Sequence, residues 1–214
     1  MNRYSIQHAV DDLETLIRKL GIKRFHLYGH SFGGIIAFEY LKRVAKRETT
    51  SENHGESDQC LSVILSSSPS SIPIVERDSR NLLDALLEQD DDKSTLANRF
   101  HKKYKCRSNT IPSHLADAYA NQGKIWCSTS DAADYVVEPL PTDSVSKKMP
   151  PALVLRGEHD FVSDKCLEGW NSAFNHDDVT AKTLDDCSHH GLLEQGRMYG
   201  VVLNDFIAMN DRSY

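Results

Sequence analysis

The residues best suited to chemistry begin with Gly29-His30-Ser31-Phe32-Gly33, a serine with a glycine two positions away on either side. The run Phe25-His26-Leu27-Tyr28 precedes it and Gly34-Ile35-Ile36-Ala37-Phe38 follows. That order predicts strand, sharp turn and helix, with the serine hydroxyl at the apex. Gly29 and Gly33 would let strand and helix approach closely and tolerate a strained backbone. A helix starting just after Ser31 aims N–H groups, and the positive end of its dipole, at any oxygen that gains negative charge. The Phe32 N–H is therefore the expected oxyanion donor. The competing view, a chance pentapeptide, is disfavoured by the strand before and the helix after.

A serine hydroxyl is a poor nucleophile at neutral pH. It needs a base within hydrogen-bond reach, and the base needs an acceptor that fixes its tautomer. Loops at the carboxyl ends of parallel strands converge on one edge of a sheet. Two later loops of that kind carry Arg156-Gly157-Glu158-His159-Asp160 and Asp185-Asp186-Cys187-Ser188-His189-His190-Gly191. The expected roles are attack by Ser31, proton transfer by His189 and orientation of the imidazole by Asp160. Alternatives stand beside two of them: Asp160 could be a solvated loop acid or a helix cap with Glu158 in its place, and His190 could replace His189. His30 is expected to support the turn or line a substrate pocket. The histidines show no metal spacing such as H-E-x-x-H, so neither a metal nor another cofactor is expected.

The elements that must hold these loops can be read from periodicity. Val10, Leu13, Ile17 and Leu20 mark a helix over 7–20 that stops at Gly21. A strand at 24–28 and a helix over about 32–46 surround Ser31. Residues 47–60 are polar and aperiodic, which predicts a surface loop. Leu61 to Leu65 and Ala152 to Leu155 read as strands, with Val179 to Leu184 as the last. A helix from about Ser163 carries Leu167, Trp170 and Phe174, and a closing helix turns Val202, Phe206 and Ile207 inward. Between 70 and 146 only helices are visible, around Leu82–Leu87, Leu96–Tyr104 and Leu115–Tyr119, and Pro139, Pro141, Pro150 and Pro151 mark the return. Strands alternating with helices imply an α/β fold with a mainly parallel sheet covered on both faces. The expected division is a core made of 1–69 and 147–214, with a helical insertion over 70–146.

The chain has 214 residues, about one domain, and is 39% hydrophobic and 26% charged, the balance of a globular protein. A net charge of −6 disfavours nucleic acid and anionic membrane as partners. No apolar run approaches a membrane span. Met1-Asn2-Arg3-Tyr4-Ser5 leads into a helix pattern rather than a secretory signal, and five scattered cysteines suit a reducing compartment. A cytoplasmic location is the resulting expectation; the oligomeric state is left open.

The stretch Leu27-Tyr28-Gly29-His30-Ser31-Phe32-Gly33-Gly34 resembles α/β-hydrolases at large. More specifically, Arg156 to Asp160, Asp186-Cys187-Ser188-His189 and Glu194-Gln195 look like the proline iminopeptidase (prolyl aminopeptidase, peptidase family S33) branch. The segment Phe100-His101-Lys102-Lys103-Tyr104-Lys105-Cys106-Arg107 with Pro112 is similar to that branch's cap. The resemblance implies an α/β-hydrolase fold with a helical cap, and a serine peptidase that removes an N-terminal residue, often proline, from short peptides. It favours His189 as base, because the first histidine of an S-H-x-x-x-x-E pattern holds that role. It also implies that cap acids bind the substrate's free α-amine, for which Asp131 is the candidate and Asp134 the next. An amidase or esterase on the same triad is the alternative. Gly196 departs from the proline often found after Glu-Gln. The resemblance further implies strands ahead of Arg24 whose loops supply a second oxyanion donor. Their absence from the sequence is read as an N-terminal truncation, with either impaired catalysis or a non-catalytic remnant as the expected consequence.

Overall fold

The computed structural model describes residues 5–50, 59–121, 132–140, 149–174 and 176–211. Helix α1 (Ile6–Leu20) opens at Ser5, whose side chain accepts the His8 N–H while the His8 ring accepts the Ser5 N–H. It closes on Gly21 at φ 64°, the left-handed conformation that glycine adopts without strain. Strand β1 (Arg24–His30) then enters the sheet, and helix α2 (Phe32–Thr50) leaves directly from Ser31. The predicted loop at 47–60 is partly helix, since α2 continues to Thr50, and β2 (Gln59–Ser66) already begins within it. Arg43 and Arg47 on α2 explain the extension, because both pair with Glu14 on α1.

Between β2 and β3 (Ala152–Gly157) lie α3 (Ile72–Gln89), α4 (Leu96–Phe100) and α5 (Ser113–Asn121). The helix predicted around Leu96–Tyr104 is not uniform: its second half, His101–Lys105, is a π-helical turn. After β3 the predicted helix is broken at Glu168 into α6 (Asp164–Leu167) and α7 (Gly169–Ala173). Gly169 approaches Ser70 so closely that a Cβ there would lie 2.6 Å from its Oγ. Strand β4 (Val179–Leu184), α8 (Gly191–Glu194) and α9 (Gly196–Asp211) follow.

Among the described residues four strands form one parallel sheet, in the order β1-β2-β3-β4. Side-chain alternation divides each central strand between two cores. Val63, Leu65, Ala152 and Val154 face Val10, Ile17, Phe38, Trp170 and Phe174. Ile64, Leu153 and Leu155 face Tyr199, Val202 and Phe206. Trp170 is fully buried, its indole N–H donating to Ser68 O at 2.7 Å and its ring edge-on to Phe38. Burying each such side chain contributes about 1.5–3 kcal/mol. Among the described residues no strand pairs with the outer edge of β1, and no helix is long and apolar enough to cross a membrane.

Candidate active site

Ser31 stands between β1 and α2 with φ 53°, a conformation rare for a residue with a side chain. Its N–H donates to Ser66 O at 2.8 Å, which ties the turn to the end of β2. Strand and helix approach closely at Gly29, as expected, but the second position that excludes a side chain is Gly34 rather than Gly33. A Cβ on Gly29 would collide with Gly33 O and lie 2.5 Å from Gly34 Cα, and one on Gly34 would lie 2.5 Å from Ser68 Cβ. A Cβ on Gly33 would face open space. The close contacts therefore run from Gly29 to the backbone of Gly33 and Gly34 and from Gly34 to Ser68, while a side chain on Gly33 itself would be unobstructed.

The other two loops meet across a similar contact. A Cβ on Gly157, the last residue of β3, would lie 2.5 Å from Ser188 O. The His159 N–H donates to Cys187 O at 2.8 Å and the Glu158 N–H to Leu184 O at 2.9 Å, so the loops after β3 and β4 are laced together. This lacing brings Asp160 to His189. His189 Nδ1–H donates to Asp160 Oδ1 at 3.0 Å, with the two side chains 6% and 0% exposed. The same Oδ1 accepts the Val162 N–H at 2.9 Å. Phe161 flanks His189, ring centroids 4.4 Å apart. With Nδ1 committed as donor, Nε2 is the nitrogen left to accept a proton.

Glu158 does not take this place. It is exposed, accepts the Asp186 N–H at 3.1 Å and lies 3.6 Å from His159 Nε2. Glu158, His159 and Asp186 could together hold a metal ion at the rim, with ligand atoms within 4.8 Å of one another. The fold assembles that group from two loops, which is why spacing along the chain did not reveal it.

His190 is engaged elsewhere. Its Nε2 is hydrogen-bonded to Tyr119 OH at 2.7 Å, and burial, then the neighbouring His189, lowers its pKa to about 4. His30 sits under both, ring centroids 4.8 Å from His189 and 5.3 Å from His190. Its Nδ1 is hydrogen-bonded to Ser66 Oγ at 3.2 Å, and Ser66 Oγ is hydrogen-bonded in turn to Tyr199 OH. Burial, reinforced by His189 and His190, pushes the His30 pKa down to about 2. His30 thus lines the site in neutral form. No hydrogen bond joins Ser31 Oγ to His189 among the described residues; such bonds are often long before substrate arrives. Phe32 opens α2, so the first amides of that helix begin beside Ser31.

The helical insertion touches the site through its backbone. The His189 N–H donates to Tyr104 O at 3.2 Å and the His190 N–H to Lys105 O at 2.9 Å. Glu194 clamps the same junction, accepting from Ser188 N at 2.7 Å, from Ser188 Oγ at 2.5 Å and from Arg107 N at 3.1 Å. Tyr119, Phe161 and the clamping role of Glu194 escaped the sequence reading, although Glu194 stands in the pattern that begins at Ser188. Asp131 lies outside the described residues. Asp134 is exposed in a turn fastened to α2 by Tyr135 OH, which donates to Glu39 Oε1 at 3.1 Å. Glu39 is about two helical turns along α2 from Ser31.

A family model described as "Alpha/beta hydrolase family" matches residues 2–199. Among solved structures, the chain is similar to a proline iminopeptidase from Mycobacterium smegmatis, with a TM-score of 0.70 and 22% identity over 97% of this chain and 73% of that one. A proline iminopeptidase-related protein from Thermus thermophilus has a TM-score of 0.58 and 19% identity over 96% and 71%. An esterase from Exiguobacterium antarcticum has a TM-score of 0.59 and 21% identity over 97% and 75%. No curated protein matches the sequence. At these identities the likeness to solved structures establishes the fold.

Proposed function

Because the chain belongs to the alpha/beta hydrolase family, we propose that it is a serine hydrolase working through Ser31, His189 and Asp160. Ser31 Oγ attacks the substrate carbonyl as His189 Nε2 takes its proton. The oxyanion that forms receives the Phe32 N–H, and His189 then returns the proton to the leaving group. Water hydrolyses the acyl-serine by the same route. Asp160 holds the imidazole and stabilises its charged form. Residues 1–69 and 147–214 form the catalytic layer in this reading, and 70–146 the cap. The observation that carries it is the buried His189–Asp160 hydrogen bond at 3.0 Å beside a serine held at positive φ. A fluorophosphonate probe tests it: wild type labels and Ser31→Ala does not, whereas absence of labelling on folded wild type refutes the proposal.

For the substrate, we infer an aminopeptidase that releases an N-terminal residue, proline first, from short peptides. Similarity to the Mycobacterium smegmatis proline iminopeptidase and the motifs around Asp160 and His189 support this reading. Asp131 is the proposed amine-binding residue. Similarity to the Exiguobacterium antarcticum esterase supports the second reading, an ester or amide hydrolase on the same triad. Proline β-naphthylamide against 4-nitrophenyl butyrate separates the two. Turnover of the ester with none of the prolyl substrate removes the peptidase assignment.

A further inference from the structure

Lys105 closes the π-helical turn and is half-buried, its Nζ 5.6 Å from the Tyr119 ring centroid and 6.0 Å from that of Phe100. No carboxylate pairs with it among the described residues. An ammonium taken partly out of water normally acquires an anion, because desolvation otherwise costs it free energy. Burial does lower the pKa of Lys105, and no acid is there to oppose the effect. Close by, His101 has both ring nitrogens buried without a hydrogen-bond partner, and its ring lies 5.5 Å from that of Tyr119. Tyr119 in turn carries the hydrogen bond to His190, next to His189. Unsatisfied buried polar atoms are uncommon in folded proteins and call for an explanation. Glu194, the acid at the junction with Arg107, is occupied by Ser188 and Arg107. Lys102, Lys103 and Arg107 are exposed around the same turn, so the local potential is positive on a chain whose net charge is −6.

We propose that Lys105 and His101 form an anion subsite, one aromatic layer out from His189, that receives a carboxylate carried by the substrate. Resting on the serine-hydrolase reading, this names the substrate class: an ester or amide with a free carboxylate beyond the scissile bond. Two sources share that chemistry, the free end of a dicarboxylic acid and the C-terminus of a short peptide. Tyr119 and Phe100 would shield the ion pair from water and strengthen it.

Binding to the full chain carrying Ser31→Ala, measured by titration calorimetry, tests the subsite without turnover. Glutaric acid mono-4-nitroanilide is compared with 4-nitrobutyranilide, and Pro-Gly with Pro-Gly-amide. The expected result is about tenfold or greater preference for the acid in one pair, as a charge-assisted bond provides. That preference falls below twofold with Lys105→Met added and returns with Lys105→Arg. The pair showing it identifies the source of the carboxylate. Equal affinity within both pairs, no binding in either, or a preference that survives Lys105→Met overturns the proposal. Labelling of wild-type Ser31 by the fluorophosphonate probe is read separately, so failure of the subsite and failure of the hydrolase reading are distinguishable.

Discussion

Gly29 and Gly34 meet backbone to backbone across the serine turn, so that a Cβ on Gly29 would come within 2.5 Å of Gly34 Cα. A Cβ on Gly33, between them in the chain, would meet nothing within 4 Å, although the Gly33 carbonyl itself faces Gly29. The Ser31 turn therefore depends on one specific crossing of strand and helix rather than on local glycine content. Gly29→Ala is expected to abolish labelling of Ser31 and to lower Tm by several degrees, since backbone lies on both sides of the clash. Gly33→Ala should keep labelling and gain up to about 1 kcal/mol, seen as a rise of a few degrees in Tm. Equal damage from the two variants would contradict this assignment.

Asp160 Oδ1 accepts from both His189 and Val162. Asp160→Asn keeps an oxygen at that place but lets the imidazole settle in the wrong tautomer. The expected fall in kcat is on the order of 10⁴-fold, with KM and Tm little changed. Steady-state kinetics on 4-nitrophenyl butyrate measure it, and a drop confined to KM would assign Asp160 to binding instead.

The clamp at Glu194 predicts a mixed effect. Glu194→Gln loses at least one of the three hydrogen bonds from Ser188 and Arg107, at a cost of about 1–3 kcal/mol in a half-buried place. Because Ser188 precedes His189, the proposed base, kcat should fall along with the urea midpoint. Unchanged kcat at reduced stability would separate the clamp from catalysis.

Stability should decline in mild acid. His190 and His30 have folded pKa values of about 4 and about 2, both below their unfolded value near 6.5. Below that value the unfolded chain binds more protons, so their contribution is complete above about pH 6.5 and is lost as pH falls through it. The His190 share levels off below about pH 4, whereas the His30 share continues towards pH 2. Each contributes a slope of at most about 1.4 kcal/mol per pH unit, less for His190 because it is partly exposed. Urea unfolding at pH 7.5 and 5.0 measures the loss. His190→Gln should reduce the difference, and an unaltered difference would place the sensitivity elsewhere.

Much of the layout was legible because it is local. Gly21 ends α1 through its own dihedral angles, the alternation of Leu153 and Val154 reports a sheet covered on both faces, and the Ser31, Asp160, His189 order follows strand by strand. What stayed hidden depends on contacts between distant residues. Which glycine the turn requires is decided by Ser68. Whether α2 stops at 46 or continues is decided by Glu14 on another helix. Nothing in Phe100 to Arg107 distinguishes Lys105 from its exposed cationic neighbours. Nor does an S-H-x-x-x-x-E pattern say that its glutamate grips the serine that starts it.

The amides of His189 and His190 end on the carbonyls of Tyr104 and Lys105, so the proposed base and the helices between β2 and β3 share one junction of main-chain bonds. Main-chain anchors carry over whatever the side chains become, provided the backbone keeps its path. A chimaera that borrows its upper helices from another hydrolase would therefore have to retain this chain's π-turn whole, with the splice points placed outside 101–107. A graft cut through that turn would leave the imidazole without its footing even if every residue of the triad were intact.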